Sequence, residues 1–111
     1  MQHSAGVLIL VLVAGPAFAA DPSPSRQQEL ARLLRDDCGA CHGMTLKGGL
    51  GLPLTREALH DKDDASLAST ILDGRPGTPM PPWRPFLSVD EAAWLVSQLK
   101  RGAMPVNGGP P

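Results

Sequence analysis

The sequence predicts a small all-α domain, and three observations carry that prediction. Apolar residues recur at helical spacing behind good caps in two stretches, one at Leu30, Leu33 and Leu34 and one at Ala92, Leu95, Val96 and Leu99, the latter at i, i+3, i+4 and i+7. No stretch alternates apolar and polar residues as a strand does, and no internal repeat is present. Between the two helical stretches lies Cys38-Gly39-Ala40-Cys41-His42, which puts two thiols and an imidazole within a short length of backbone.

The first element is not part of the domain. Residues 1–19 read as a cleaved export signal: the apolar run at residues 7–13 is too short for a permanent anchor, and Ala17-Phe18-Ala19 has the small-X-small form of a cleavage site, with the cut after Ala19 or Ala20. Met1, Gln2 and His3 depart from the usual leader in carrying no lysine or arginine. Of the 111 residues, this leaves one domain at residues 20–101 and a flexible tail at 102–111, with no second apolar run to span a bilayer. A domain of this size has difficulty burying enough apolar surface unaided. All 10 lysines and arginines and all 11 acids follow the leader, so the net charge of −1 belongs to the mature chain, and no basic tract suggests nucleic acid.

Ser23 before Pro24, or Ser25 with Gln28 three residues on, can cap the first helix, which then delivers the chain to Cys38. Cys-X-X-Cys-His is the sequence that attaches a c-type haem. The thiols of Cys38 and Cys41 add across the vinyl groups, two intervening residues let one turn present both sulfurs, and His42 can reach only the iron on that same face. A thioredoxin-like redox pair is the alternative, but it belongs in an alternating strand and helix pattern that this chain lacks; a zinc site is weaker still. With both cysteines committed, no disulfide is possible. Haem attachment takes place beyond the bacterial inner membrane, so the mature protein is expected in the periplasm. The apolar face of the haem also supplies the missing core.

After His42, residues 43–53 hold four glycines and read as a loop around the histidine side of the haem. Thr55 caps a short helical turn through about Leu59, and Asp63 or Asp64 caps another that covers Leu67, Ile71 and Leu72 before Gly74 ends it. Residues 74–85 contain five prolines and form a stiff loop. Ser88 and Glu91 make a capping box for the last helix, which Gly102 stops. The expected assembly crosses the first and last helices over the haem crevice.

The iron needs a second axial ligand, and the candidates after the leader are Met44, Met80, Met104 and His60. Met44 is tied to the His42 face, Met104 lies in the tail, and a lone histidine after a short helix is usually solvated. Met80, in Thr78-Pro79-Met80-Pro81-Pro82, has prolines on both sides to hold a weak thioether ligand in place. With His42 and Met80 on the two faces the iron has no open position, so the expected activity is one-electron transfer and not enzymatic catalysis.

These residues resemble a class I c-type cytochrome over essentially the whole mature chain: Cys38-Gly39-Ala40-Cys41-His42-Gly43, Ile71-Leu72-Asp73-Gly74, Met80-Pro81 and the capped final helix. Within the class, residues 43–51 and 73–78 are similar to the small monohaem cytochrome encoded with the periplasmic cytochrome cd nitrite reductase of denitrifying bacteria. That resemblance implies a monomeric electron carrier in dissimilatory nitrite reduction whose partner is the nitrite reductase, or an electron-transfer accessory in maturation of its haem d cofactor; a general periplasmic carrier is the broader reading. The chain departs from the class where Leu30, Leu34 and Gln98 replace the usual glycine and aromatics of the helix crossing. The usual Gly-Pro-X-Leu reads Gly51-Leu52-Pro53-Leu54, a departure in the segment whose carbonyl, expected to be that of Leu52, accepts the His42 ring proton in the class.

On the surface, Trp94 falls off the apolar stripe of the last helix and is expected near solvent, as a docking contact or as peripheral core against Phe86 or the tail. Lys47, Arg75 and Arg84 lie on the loops that frame the haem edge, where they can bind propionates, steer an acidic partner or remain solvated. Asp61, Asp63 and Asp64 are explained by helix capping and solubility.

Overall fold

The computed structural model describes residues 1–2, 6–15 and 21–102, so the expected cleavage site, Met104 and the tail beyond Gly102 lie outside the described residues. The described residues contain helices and no strand: α1 (Pro24–Leu33), a π-helical turn (Leu34–Cys38), α2 (Gly39–His42), α3 (Arg56–Leu59), α4 (Asp64–Asp73) and α5 (Val89–Arg101). No helix among them is long and apolar enough to cross a membrane.

Each start follows from a short polar side chain. Ser23, not Ser25, caps α1: its hydroxyl accepts the Arg26 N–H at 3.3 Å, and Pro24 then occupies the first helical position, where its fixed φ is an advantage and its missing N–H costs nothing. Thr55 caps α3 through the Ala58 N–H, and Asp63 caps α4 through the Ser66 N–H at 2.9 Å. The amide and hydroxyl of Ser66 hold the Asp63 carboxyl below the usual carboxylate range. At α5 the capping box is complete, with the Glu91 N–H donating to the Ser88 hydroxyl at 3.1 Å and the Ser88 N–H to the Glu91 carboxylate at 2.9 Å.

The π-helical turn was not foreseen, because helical periodicity reads straight through it. It closes with the Gly39 N–H on the Leu34 carbonyl, five residues back. A wider turn changes which residues align: four residues of α-helix overshoot a full revolution, whereas four residues of π-helix do not. Leu34 and Cys38 both line the inner cavity, while Arg35 and Asp36 pair with each other outside at 2.8 Å.

The core is aliphatic. Leu30 and Leu34 of the first helical stretch are buried in one cluster with Leu72 of α4 and Ala92, Leu95, Val96 and Leu99 of α5. Replacing Leu30 by alanine removes contacts from a fully buried side chain and is expected to cost about 2–5 kcal/mol. Leucine, alanine and valine thus make up this core. Arg26 also ties the start of α1 to the start of α5, donating to the Glu91 and Glu29 carboxylates and, at 3.1 Å, to the Phe86 carbonyl. The most extensive helix contact is between α4 and α5.

Helix α4 ends at Gly74, whose φ of +67° is open to glycine without strain. Two of its terminal carbonyls, Ile71 and Leu72, are satisfied from a distance by the N–H groups of Trp83 and Arg84 at 3.1 and 3.0 Å. The proline-rich loop is therefore folded back onto the end of α4.

Candidate functional site

Beneath α1 and α5 lies one cavity of about 530 Å³, within the ordinary range of cofactor sites. Its walls are mostly apolar, contributed by Leu33 and Leu34, by Leu67 and Ile71 of α4, by Leu95, Val96 and Leu99 of α5, and by Trp83 and Leu87. Cys38, His42 and Met80, which stand 42 positions apart at their extremes, all line it. Cys41 is half-buried and is not among the lining residues.

The histidine side is a backbone construction. The Gly48 N–H donates to the His42 carbonyl at 2.8 Å, the Gly51 N–H to the Cys41 carbonyl at 2.7 Å, and the Leu54 N–H to the Leu46 carbonyl at 2.9 Å. These bonds bring the loop so close that a Cβ at Gly51 would stand 2.6 Å from the His42 ring. Leu46 adopts φ +59°, a region that costs a branched side chain energy. The result is that the Leu52 carbonyl, as expected, accepts the Nδ1–H of His42 at 2.6 Å. A carbonyl can only accept, so Nδ1 carries the proton, and Nε2 is left with its lone pair free to bind a metal.

The methionine side is held by a few bonds around one glycine and several prolines. The Arg75 N–H donates to the Met80 carbonyl at 3.2 Å, the Thr78 N–H to the Arg75 carbonyl at 3.0 Å, and the Met80 N–H to the Thr78 hydroxyl at 3.3 Å. A Cβ at Gly74 would lie 2.7 Å from the Met80 carbonyl oxygen.

The competing candidates are elsewhere. Met44 is exposed, and His60 is exposed with its Nδ1–H on the Glu57 carbonyl at 2.8 Å. Neither lines the cavity. Of the expected loop cations, Arg75 lines it, but Lys47 does not and Arg84 is turned to Asp73, to which it donates at 2.7 Å. Lys62, just before α4, lines the cavity and was missed by the sequence reading, because nothing local marks a turn residue as facing a distant helix. Trp94 is half-buried against the edge of the core and not free in solvent, and Phe86 has Trp83 as its aromatic neighbour, with ring centroids 5.8 Å apart.

The donor set discriminates among cofactors. Burial pushes the Cys38 thiol up to about 11, the opposite of the lowered pKa that a cycling redox thiol needs. Among the described residues no group of three or more His, Cys, Asp or Glu side chains is placed to hold a lone metal ion. A large apolar cavity with a thiol, a ring nitrogen with a free lone pair and a thioether on its walls fits a haem of the c type.

Comparison with known proteins agrees. Residues 25–99 match the family described as cytochrome C oxidase, cbb3-type, subunit III. The chain is 52% identical over 92 residues to cytochrome c55X of Paracoccus denitrificans (strain Pd 1222), covering 83% of this chain and 89% of that one. It is 56% identical over 81 residues to cytochrome c55X of Pseudomonas aeruginosa (strain PAO1), covering 73% and 68%. Among solved structures it is similar to a c-type cytochrome NirC, with a TM-score of 0.73 and 54% identity, over 75% of this chain and 98% of that chain.

Proposed function

The chain belongs to the c-type cytochromes, with one covalently bound haem c as cofactor, and on that premise we propose that it is a periplasmic one-electron carrier that donates to a cytochrome cd nitrite reductase. The observation that carries the electron-transfer reading is the convergence of Cys38, His42 and Met80 on one apolar cavity, with His42 Nδ1 already committed to Leu52.

In this reading Cys38 and Cys41 would hold the haem covalently, and His42 through Nε2 and Met80 through its sulfur would bind its iron. When bound, the haem supplies a one-electron iron couple. The Leu52 carbonyl fixes the tautomer and orientation of His42 and strengthens it as a donor. The Met80 loop would keep a weak thioether ligand within reach of the iron. Leucines from five helical segments exclude water, which limits the solvent rearrangement that accompanies each electron.

The leader supports the periplasmic assignment, and likeness to a c-type cytochrome NirC supports the nitrite reductase context. Stopped-flow mixing of the reduced protein with purified cytochrome cd nitrite reductase is expected to give saturable, haem-to-haem oxidation. Oxidation no faster than by an unrelated periplasmic acceptor overturns the donor role. If deletion of the gene leaves the reductase lacking haem d, the protein's place is in cofactor maturation.

A further inference from the structure

The lining of the cavity contains no carboxylate and only two side chains that are permanently cationic at neutral pH, Lys62 before α4 and Arg75 after it. Among the described residues neither has an ion-pair partner. The contrast with Arg84 is direct. Arg84 lies on the same loop as Arg75, yet it is neutralised by Asp73 and does not face the cavity. Both residues are exposed, so water solvates their charges, and each is free to meet an anion placed in the cavity.

A second set of contacts makes Arg75 different from Lys62. Its backbone is the fastening point of the methionine loop: its N–H donates to the Met80 carbonyl at 3.2 Å, and its own carbonyl accepts both the Thr78 N–H at 3.0 Å and the Thr78 hydroxyl at 2.7 Å. Thr78 in turn accepts the Met80 N–H at 3.3 Å. Gly74, immediately before it, leaves no room for a side chain beside the Met80, Pro81 and Pro82 backbone. Whatever fixes the Arg75 side chain therefore fixes the loop that carries Met80.

We infer that the Arg75 guanidinium takes a haem carboxylate and, through its backbone bonds to Met80 and Thr78, positions the methionine ligand. This rests on the reading of His42 and Met80 as axial ligands. Haem is an apolar plate with two carboxylates at one edge, so a guanidinium on an otherwise apolar wall is the recognition chemistry it calls for, and Arg is the side chain suited to bind a carboxylate through two parallel bonds. Arg75 is a positioning residue in this scheme, because it acts on the iron through Met80.

The test compares Arg75→Gln with Arg75→Lys, Lys62→Gln and Arg84→Gln, all as haem-loaded protein. Added imidazole competes with Met80 for the oxidised iron, and its affinity reads how firmly the loop is held. Arg75→Gln is expected to bind imidazole about tenfold more tightly, the equivalent of losing one charge-assisted hydrogen bond. Its midpoint potential is expected to fall, because a nearby cation favours the reduced iron. Arg75→Lys should recover the potential and only part of the imidazole resistance, whereas Arg84→Gln should change neither. The inference is overturned if Arg75→Gln behaves like Arg84→Gln, or if Lys62→Gln alone shows the tenfold change, which would move the carboxylate to the other end of α4. A wild-type spectrum without a sulfur-to-iron charge-transfer band is a different failure, since it removes Met80 as ligand and not Arg75 as its anchor.

Discussion

The two loops that flank the cavity hold His42 and Met80 by opposite means. The loop after His42 is glycine-rich, and five of its backbone N–H groups donate within the loop or to the end of α2, which lets the main chain approach the imidazole until the Leu52 carbonyl meets Nδ1. The loop before α5 is proline-rich, gives up donors, and relies on fixed φ angles, on Gly74 and on Arg75 and Thr78. Ligand chemistry explains the difference. An imidazole binds iron well and needs its ring aimed and its tautomer set, a task for a hydrogen bond. A thioether binds weakly and offers no proton to hold, so only a stiff backbone can keep it in place.

The largest expected effect separates the two sides outright. Met80→Ala should abolish the sulfur-to-iron charge-transfer band and lower the midpoint potential while the protein remains haem-loaded; a retained band would mean that the proline loop does not carry the ligand.

Two glycine substitutions sharpen the contrast at comparable cost. Gly74→Ala meets rigid backbone at 2.7 Å and carries a φ of +67°, while Gly51→Ala meets only the His42 ring at 2.6 Å. Overpacking of this kind costs about 1–3 kcal/mol, with Gly74→Ala the more destabilising because it also forces a side chain onto a positive φ. Denaturant unfolding measures the loss. Imidazole competition should then show Met80 weakened in Gly74→Ala, with Gly51→Ala instead shifting the ring resonances of His42.

Ser88→Ala tests whether the comparison is confined to the loops. It removes a cap of α5 that does not line the cavity and should cost about 1 kcal/mol with an unchanged absorption spectrum.

The smallest effect is expected at acid pH. Hydrogen bonding from Arg26, and then from the Ser88 backbone, holds the Glu91 carboxyl below its ordinary value. A depressed carboxylate contributes stability above its unfolded pKa, near 4.5, and loses it as pH falls through the folded value. Wild type should therefore exceed Glu91→Gln in stability at neutral pH, and the two curves should converge in acid. A constant gap would show that the Arg26 and Glu91 clamp contributes no charge-dependent stability.

Much of the fold was legible because its signals are local. A serine, threonine or aspartate before a helix has a donor waiting two or three residues away, so Thr55, Ser88 and the Gly74 and Gly102 stops could be read directly, and at α1 and α4 the residual choice lay between near neighbours. The Cys38 to His42 motif is local for the same reason. The π-helical turn was not legible, because one hydrogen bond of a different span leaves the apolar pattern of the sequence untouched.

What the sequence alone determined is local: a Cys-X-X-Cys-His motif that fits a covalent haem, the caps that start α3 and α5, and the prolines that bracket Met80. Tertiary structure alone decided which groups face the cavity, since Lys62 enters its wall, Arg84 turns away to Asp73, Trp94 lies half-buried and Trp83 with Arg84 completes the end of α4. The physical reason is range. Caps and covalent motifs are satisfied within a few residues, whereas exposure, charge pairing and a free helix carbonyl are settled by whatever distant segment the packed core brings alongside.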